Sequence, residues 1–471
     1  MKYDVIIVGA GPAGYFCAYE LMKKAPEKKV LLVEKGQDIY HRNCPVLNHK
    51  LEKCPINKNK YSGCFPSCAM TNGFGGAGAF SDGKFNITTE FGGWLTDIMD
   101  DDQLINLIKY VDSINLEHGA TTVITNPYTD KVREIEKRAI AVGLKLLRAN
   151  VRHIGTEENL KILAKIYEEL KEHIEMIYKT SMTDIIVEDG VCKGVVCGDK
   201  LYYADNVFIA IGRDGAAFLE QMLAKHNATL MNNQVDIGVR VETNDIVMEE
   251  INSHLYEGKF IFNTSVGTQV RTFCSNPSGH VVVENDSGTI LANGHAYSDP
   301  KLGSKNTNFA LLVSHKFAEP FDRPNEYAHA VSRLANQLSC GSVIVQKYGD
   351  VLLGRRTTEN RLKEGFVRPT LKEAVPGDLG LALPYNTMKS IIEMIEALDH
   401  VTPGIANEHT LLYGVEAKFY SSRPRVKKTL EMEEIKNLYV GGDGAGLTRG
   451  LAQAGASGVH VARNIIAASK K

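Results

Sequence analysis

The sequence predicts an α/β fold, in which a parallel-sheet domain built from discontinuous segments carries an inserted α+β domain. Three observations predict it. Residues 3–34 read as strand, glycine turn, helix and second strand. Residues 438–468 return to strand, glycine loop and helix at the far end of the chain. The stretch from 217 to about 408 mixes strands and helices without a second glycine turn of that kind. The expected division is 1–216 with 406–471 for the first domain and 217–405 for the second, with a helical insertion in the first at about 95–178.

Each element has a local reason. Val5-Ile6-Ile7-Val8 is a continuous apolar run, the pattern of a strand covered on both faces. Ala13, Cys17 and Leu21 recur at four-residue spacing and give the following helix an inward face. Val30-Leu31-Leu32-Val33 is the second strand. Residues 36–84, rich in Cys, Pro, Asn and Gly, read as a long irregular loop, a length that compact domains keep for function. Residues 100–178 read as mainly helical, best at 158–178, where Leu160, Leu163, Ile166, Leu170 and Ile174 share one face. Strand-like pieces follow at 184–187, 191–196, 201–203 and 207–211, with Gly190 and Gly198 at turns. Residues 438–440 are a short strand, and a helix runs from about 450 to 468.

Composition narrows the classes. With 44% hydrophobic and 23% charged residues among 471, the chain has the make-up of a globular protein, which excludes wholesale disorder. The 54 Lys+Arg against 56 Asp+Glu leave a net charge of −2 and no basic tail, so a nucleic-acid partner is not expected. The apolar run at 5–8 is too short for a secretory segment, and no stretch approaches the roughly 18 apolar residues of a membrane span. A cytoplasmic location is expected, with the nine cysteines as thiols or ligands.

Gly9-Ala10-Gly11-Pro12-Ala13-Gly14 follows a strand, opens a helix, and is answered by Glu34 at the end of the next strand. In that context the glycines are a dinucleotide-binding fingerprint. Gly9 permits the tight turn, Gly11 lets backbone approach a diphosphate, and Gly14 lets helix and strand pack closely. The helix N-terminus offers N–H groups to the phosphates, and Glu34 accepts from ribose hydroxyls. Pro12, Ala13 and Lys35 complete the expected nucleotide contacts. This unit alone does not separate FAD from NAD. Gly441-Gly442-Asp443-Gly444 does, because a flavin nucleotide is long and needs a second contact for its ribityl chain. Gly442 and Asp443 are the expected contacts there, and the helix behind them would aim its positive end at the flavin.

Here the sequence resembles the FAD-dependent dehydrogenases of the glutathione-reductase-like superfamily, and more narrowly a bacterial and archaeal branch of NAD(P)/FAD-dependent oxidoreductases. The resemblance is carried by residues 5–14 and by the run Gly73-Phe74-Gly75-Gly76-Ala77-Gly78-Ala79-Phe80-Ser81-Asp82-Gly83-Lys84. It continues through His153-Ile154-Gly155-Thr156, Thr272-Phe273-Cys274 with Pro277-Ser278-Gly279, Tyr413-Gly414-Val415-Glu416, Ser421-Ser422-Arg423-Pro424 and residues 438–444. Near 274 the family usually reads Cys-x-Cys-Pro-Gly-Gly; here Asn276 and Ser278 stand in place of the second Cys and the first Gly. The resemblance implies a Rossmann-like FAD-binding domain of glutathione-reductase type with an intervening substrate domain. It also puts the Gly73–Lys84 run against the FAD, with Gly76, Ala77 and Ser81 as contacts, and implies that Gly212 closes the site.

The expected chemistry is hydride or two-electron transfer between a small organic substrate and flavin. A carboxylate substrate calls for a guanidinium clamp, for which Arg423, Arg425 and Arg449 are candidates. Lys84 can hold a phosphate or a substrate carboxylate, Arg213 an anion, and His153, Tyr413, Tyr420 and Glu416 are acid–base candidates. The electron partner is NAD(P)H or a redox partner protein. Cys44, Cys54, Cys64 and Cys68 crowd one loop at C-x9-C-x9-C-x3-C; a Zn site, an iron–sulfur cluster, a redox disulfide or plain thiols all fit that spacing. The rival readings are a flavin monooxygenase or oxidase using O2, and a non-catalytic binding or escort protein on a flavoprotein fold.

Overall fold

The computed structural model describes residues 2–46, 48–51, 64–286, 288–297, 299–318, 320–321 and 323–469. The chain folds as two units, each with its own apolar core. Unit one takes 1–125, 149–231 and 421–471; unit two takes 126–148 and 232–420. These limits differ from the expected 216/217 and 405/406. Helix Ala216–Lys225 stays with unit one, its Leu219, Met222 and Leu223 lying in that core. Strand Leu411–Lys418 is an inner strand of unit two's sheet, between Ile344–Lys347 and Val235–Asn244. The 126–148 segment goes to unit two because Leu144–Leu147 pairs with Lys259–Asn263.

Unit one is built on a seven-stranded sheet. Strands Glu175–Ile177, Val30–Val33, Lys2–Val8 and Lys200–Ile209 lie side by side and parallel, and Leu438–Val440 pairs parallel with Lys200–Ile209. Val191–Cys197 and Asp184–Glu188 extend it antiparallel. The central residues Val5, Ile6 and Ile7 are fully buried, as their unbroken apolar run requires. Helices Pro12–Lys24 and Leu451–Ser469 pack on each other so closely that a Cβ on Gly458 would stand 1.9 Å from the Ala13 carbonyl oxygen. This contact joins the two ends of the sequence.

The 100–178 region is less helical than its pattern suggests. Helices cover Asp101–Glu117, Asp130–Ala141 and Thr156–Lys171, the first two opened by side-chain caps from Asp100 and Thr129. Between and after them lie the strands Leu144–Leu147, Asn150–His153 and Glu175–Ile177. Ile174 continues the helical spacing but follows the last turn, where the chain leaves to pair with Val30–Val33. The pieces at 201–203 and 207–211 are one strand, Lys200–Ile209, because 204–206 stay extended against Lys2–Val8.

Unit two is an eight-stranded sheet. Its order is Val375–Pro376, Ile344–Lys347, Leu411–Lys418, Val235–Asn244, Asn306–His315, Gln269–Asn276, Lys259–Asn263 and Leu144–Leu147. All pairs are antiparallel except the first. Helices Pro324–Leu338 and Tyr385–Asp399 bury apolar faces in its core.

Candidate functional site

In unit one, three chain turns lie at the carboxyl ends of adjacent parallel strands, where α/β sheets hold their ligands. Lys2–Val8 leads into Gly9–Gly14, Lys200–Ile209 into Ala210–Gly212, and Leu438–Val440 into Gly441–Gly444. Backbone bonds sew them together: Ala210 N–H to the Val8 oxygen at 2.8 Å, and Gly441 and Gly444 N–H to the Ile209 and Ile211 oxygens, each at 3.1 Å. A Cβ on Gly442 would lie 3.3 Å from the Ala13 Cβ. The two glycine corners, more than 400 residues apart in sequence, therefore meet.

The glycines of the fingerprint divide by what faces them. Gly9 has φ +102°, and a Cβ there would lie 2.7 Å from the Ala210 oxygen. A Cβ on Gly14 would lie 1.8 Å from the Gly9 oxygen. Both are required by the packing. Gly11 instead looks onto open space, with only the Gly76 Cα at 4.0 Å, and nothing lies within 4 Å of a Cβ on Gly212. Helix Pro12–Lys24 starts at that opening, with Gly11 as its cap and Pro12 in the first turn, so its leading N–H groups face the gap. A cradle that side chains would fill, fronted by a helix N-terminus, fits a diphosphate.

Glu34 is buried and its carboxylate braces the turns. Oε2 accepts from Ala10 N–H at 2.8 Å; Oε1 accepts from Gly36 N–H at 2.7 Å and Gly73 N–H at 3.0 Å. A carboxylate has about four acceptor positions, so one on Oε2 is left for a ribose hydroxyl. Lys35 pairs with Asp214 at 2.5 Å, and Asp214 also accepts from Asn72 at 3.2 Å.

The Gly73–Lys84 run lies on the fingerprint. Gly75 N–H donates to the Ala10 oxygen at 2.8 Å, and a Cβ on Gly76 would lie 3.1 Å from the Gly11 Cα. Gly76–Phe80, which includes Ala77, is a short 3-10 turn. Asn159 donates to the Gly78 and Ala79 oxygens at 2.8 and 3.2 Å. The Ser81 hydroxyl is used within the run, donating to the Gly78 oxygen at 2.7 Å and accepting from Gly83 N–H at 3.2 Å. Lys84 sits on strand Lys84–Ile87 directly across from His153, whose Nε2 is 3.5 Å from Asp82.

Buried Arg42 clasps this run from behind. It donates to the Ala69 oxygen from Nε at 3.0 Å and from Nη2 at 2.8 Å, to Phe74 at 2.6 Å and to Met70 at 3.1 Å. Its guanidinium stands 4.8 Å from the Phe80 ring centroid. Burial pulls its pKa down to about 10, against the pull of Glu34. The sequence reading did not single Arg42 out, because no local pattern connects it to carbonyls 27 to 32 residues later.

At the second corner, Asp443 accepts from the Thr448 hydroxyl at 2.7 Å. Burial raises its carboxyl above the ordinary range; the Thr448 bond and the guanidinium charges of Arg213 and Arg449 oppose that rise. The segment after Gly92 is attached here, with Arg449 N–H to the Gly92 oxygen at 2.7 Å and Trp94 N–H to the Leu447 oxygen at 2.9 Å. Arg423 pairs with Asp97 at 3.0 Å beside the Trp94 ring, while Arg425 is exposed.

Three acid–base candidates fall in unit two and belong to buried networks. Tyr413 donates to Glu242 at 2.5 Å, Glu416 faces Arg240 at 3.5 Å, and Tyr420 donates to Asp236, which Arg271 also contacts at 2.6 Å. Cys44, Cys64 and Cys68 are half-buried thiols. Among the described residues no group of three or more His, Cys, Asp or Glu is placed to hold a metal ion, and Cys54 lies outside those residues.

Residues 3–218 match the family model described as pyridine nucleotide-disulphide oxidoreductase. Residues 234–419 match that of the FAD-dependent protein, C-terminal domain-like. An uncharacterized protein of Clostridium beijerinckii is 27% identical over 487 residues, spanning 99% of this chain and 81% of that protein. Among solved structures, L-proline dehydrogenase from P. horikoshii aligns over 99% of this chain and 94% of its own at 12% identity and TM-score 0.37. A formate oxidase variant from Aspergillus oryzae aligns over 100% and 99% at 13% identity and TM-score 0.45. The chain is an FAD-dependent oxidoreductase, an enzyme of the flavoprotein class. More narrowly, it joins a pyridine nucleotide-disulphide oxidoreductase region to an FAD-dependent C-terminal domain. No helix among the described residues is long and apolar enough to cross a membrane.

Proposed function

We propose that unit one holds FAD across its two glycine corners and that the enzyme moves a hydride, or two electrons, between a small organic acid and that flavin. The observation that supports this reading is the meeting of the corners, with Gly442 against Ala13 and Asp443 beside Arg213 and Arg449. FAD, when bound, accepts or gives a hydride at N5 of its ring. The residues do the rest. Gly11, Gly76 and the first turn of helix Pro12–Lys24 receive the diphosphate, and Glu34 holds the turns around it. Asp443 takes a ribityl hydroxyl, with Thr448 fixing its carboxylate. An arginine orients the substrate carboxylate. Unit two carries the remaining substrate recognition. The reaction runs in the cytoplasm, and NAD(P)H or a carrier protein is the visiting electron partner.

The test is anaerobic reduction of the purified yellow protein by NADH, NADPH and a panel of small acids, followed by the bleaching of flavin absorbance. Bleaching by an acid supports the reading. A colourless protein that takes up no FAD overturns it. Rapid reoxidation by O2 with turnover would move the assignment to an oxidase.

A further inference from the structure

Of the arginines Arg213, Arg423, Arg425 and Arg449, only Arg423 has the setting of an anion seat. Arg213 and Arg425 are exposed, and Arg449 sits where its charge acts on Asp443. The Arg423 side chain is 16% exposed, fixed on a two-residue strand against Met231, with its guanidinium 5.8 Å from the Trp94 ring centroid. Among the described residues its carboxylate contact is Nη2 to Asp97 Oδ2 at 3.0 Å, and its buried Nε has no hydrogen-bond partner there. Asp97 is the opposite kind of group: 55% exposed, at the end of the short turn Leu95–Asp97. A built-in guanidinium is thus met by one oxygen of a surface carboxylate.

We propose that Arg423 is the seat of the substrate carboxylate and that Asp97 occupies this seat in the resting enzyme. The proposal rests on the reading of the Asp443 corner as the flavin's second contact. The Arg423 segment belongs to that corner, since Ser421 donates to the Asp443 oxygen at 3.1 Å. The Trp94 segment does too, being bonded to Leu447 and Arg449. An incoming carboxylate, unlike tethered Asp97, can turn to bridge Nε and Nη2 together, the two-pronged geometry guanidinium favours. The exposed Asp97 can leave, because a surface ion pair holds its partners only weakly. The Trp94 ring, 5.8 Å from the guanidinium carbon, stands beside the seat and adds a cation–π attraction. The ligand class is therefore a small organic monoanion or dianion with an accessible carboxylate.

Trp94 is the only tryptophan of the chain and reports on this seat directly. The flavin-loaded protein is titrated with acetate and succinate, with chloride at matched ionic strength as control, and its tryptophan emission is followed. Wild type should respond saturably to the carboxylates and not to chloride. Asp97→Asn should tighten the response about tenfold, because the internal competitor is gone. Arg423→Lys should weaken it about tenfold and Arg423→Met should abolish it. A merely structural ion pair would give no tightening with Asp97→Asn. That result, or an equal response to chloride, overturns the proposal, and the surface variant decides it even where Arg423→Met fails to fold. A protein that never takes up flavin defeats the underlying reading. A yellow protein whose Asp97→Asn variant binds carboxylates no better defeats only this inference.

Discussion

Gly11 and Gly14 stand three residues apart in one motif and answer to different constraints. A methyl group on Gly14 would overlap the Gly9 oxygen at 1.8 Å, whereas one on Gly11 would meet nothing closer than 4.0 Å. Gly14→Ala should therefore destabilise unit one by several kcal/mol, about 3 or more, through forced backbone movement. Gly11→Ala should leave the unfolding free energy measured in urea within about 0.5 kcal/mol of wild type yet weaken FAD at least tenfold, because the methyl fills the cradle. Equal unfolding midpoints for the two variants would refute the distinction. Asp443 gives a pH dependence. Burial raises its folded-state pKa, so the folded chain keeps that proton longer than the unfolded chain does. The linked stability is highest below the ordinary aspartate range and falls as pH rises through the raised value. In flavin-stripped protein, Asp443→Asn should remove this decline and raise stability at neutral pH, while lowering FAD affinity. Thermal unfolding at several pH values reads the first effect and flavin retention the second. Gly11, Gly14 and Asp443 were legible in the sequence, because each lies in a short local run of glycines, with Asp443 directly after Gly442. The brace that Glu34 makes was not, since Gly73 lies 39 residues away.

At the scale of elements, the Gly73–Phe80 run depends on a clasp rather than on a sheet. The Ala69, Met70 and Phe74 oxygens accept from the guanidinium of Arg42, which is buried with its charge. Arg42→Met removes those donors and leaves the Ala69 and Phe74 carbonyls, whose bonds to Arg42 are buried, without them. The expected cost is about 3–5 kcal/mol, each orphaned group contributing about 1–3. The release should appear as faster proteolysis at 64–84 and as FAD lost on gel filtration, with Arg42→Lys recovering part of both. Unchanged proteolysis would show the run to be held otherwise. Long periodic helices and apolar strands were legible at this scale: 30–33 and 438–440 are strands at those limits. The short strands Lys84–Ile87, Asn150–His153 and Glu175–Ile177 were not. Each is only three or four residues long, and its pairing partner is remote, so neither periodicity nor turn residues announce it.

At the scale of the whole molecule, the sequence order hides which residues fold together. Unit one draws on three separate stretches, and its first and last helices pack at van der Waals distance. The fingerprint and the Gly441–Gly444 loop pointed to this discontinuity, because one long nucleotide requires both. The boundaries themselves depend on strand pairing, such as Leu144–Leu147 with Lys259–Asn263, which local pattern does not encode. Two units with separate cores predict two calorimetric transitions. The FAD contacts proposed for unit one all lie in its three stretches, and a ligand stabilises only the unit that binds it. At a free concentration a hundredfold above Kd that gain is about 2.7 kcal/mol. Stripping the flavin should therefore lower one transition and leave the other in place. Adding FAD back should restore it by an amount that grows with the logarithm of FAD concentration. The shifted transition must be that of unit one: Gly11→Ala should blunt its response to FAD, whereas substitutions in the Arg240–Glu416 pair should move only the other. A single transition that FAD moves as a whole would mean that the two cores unfold as one, and that the cofactor stabilises the entire chain.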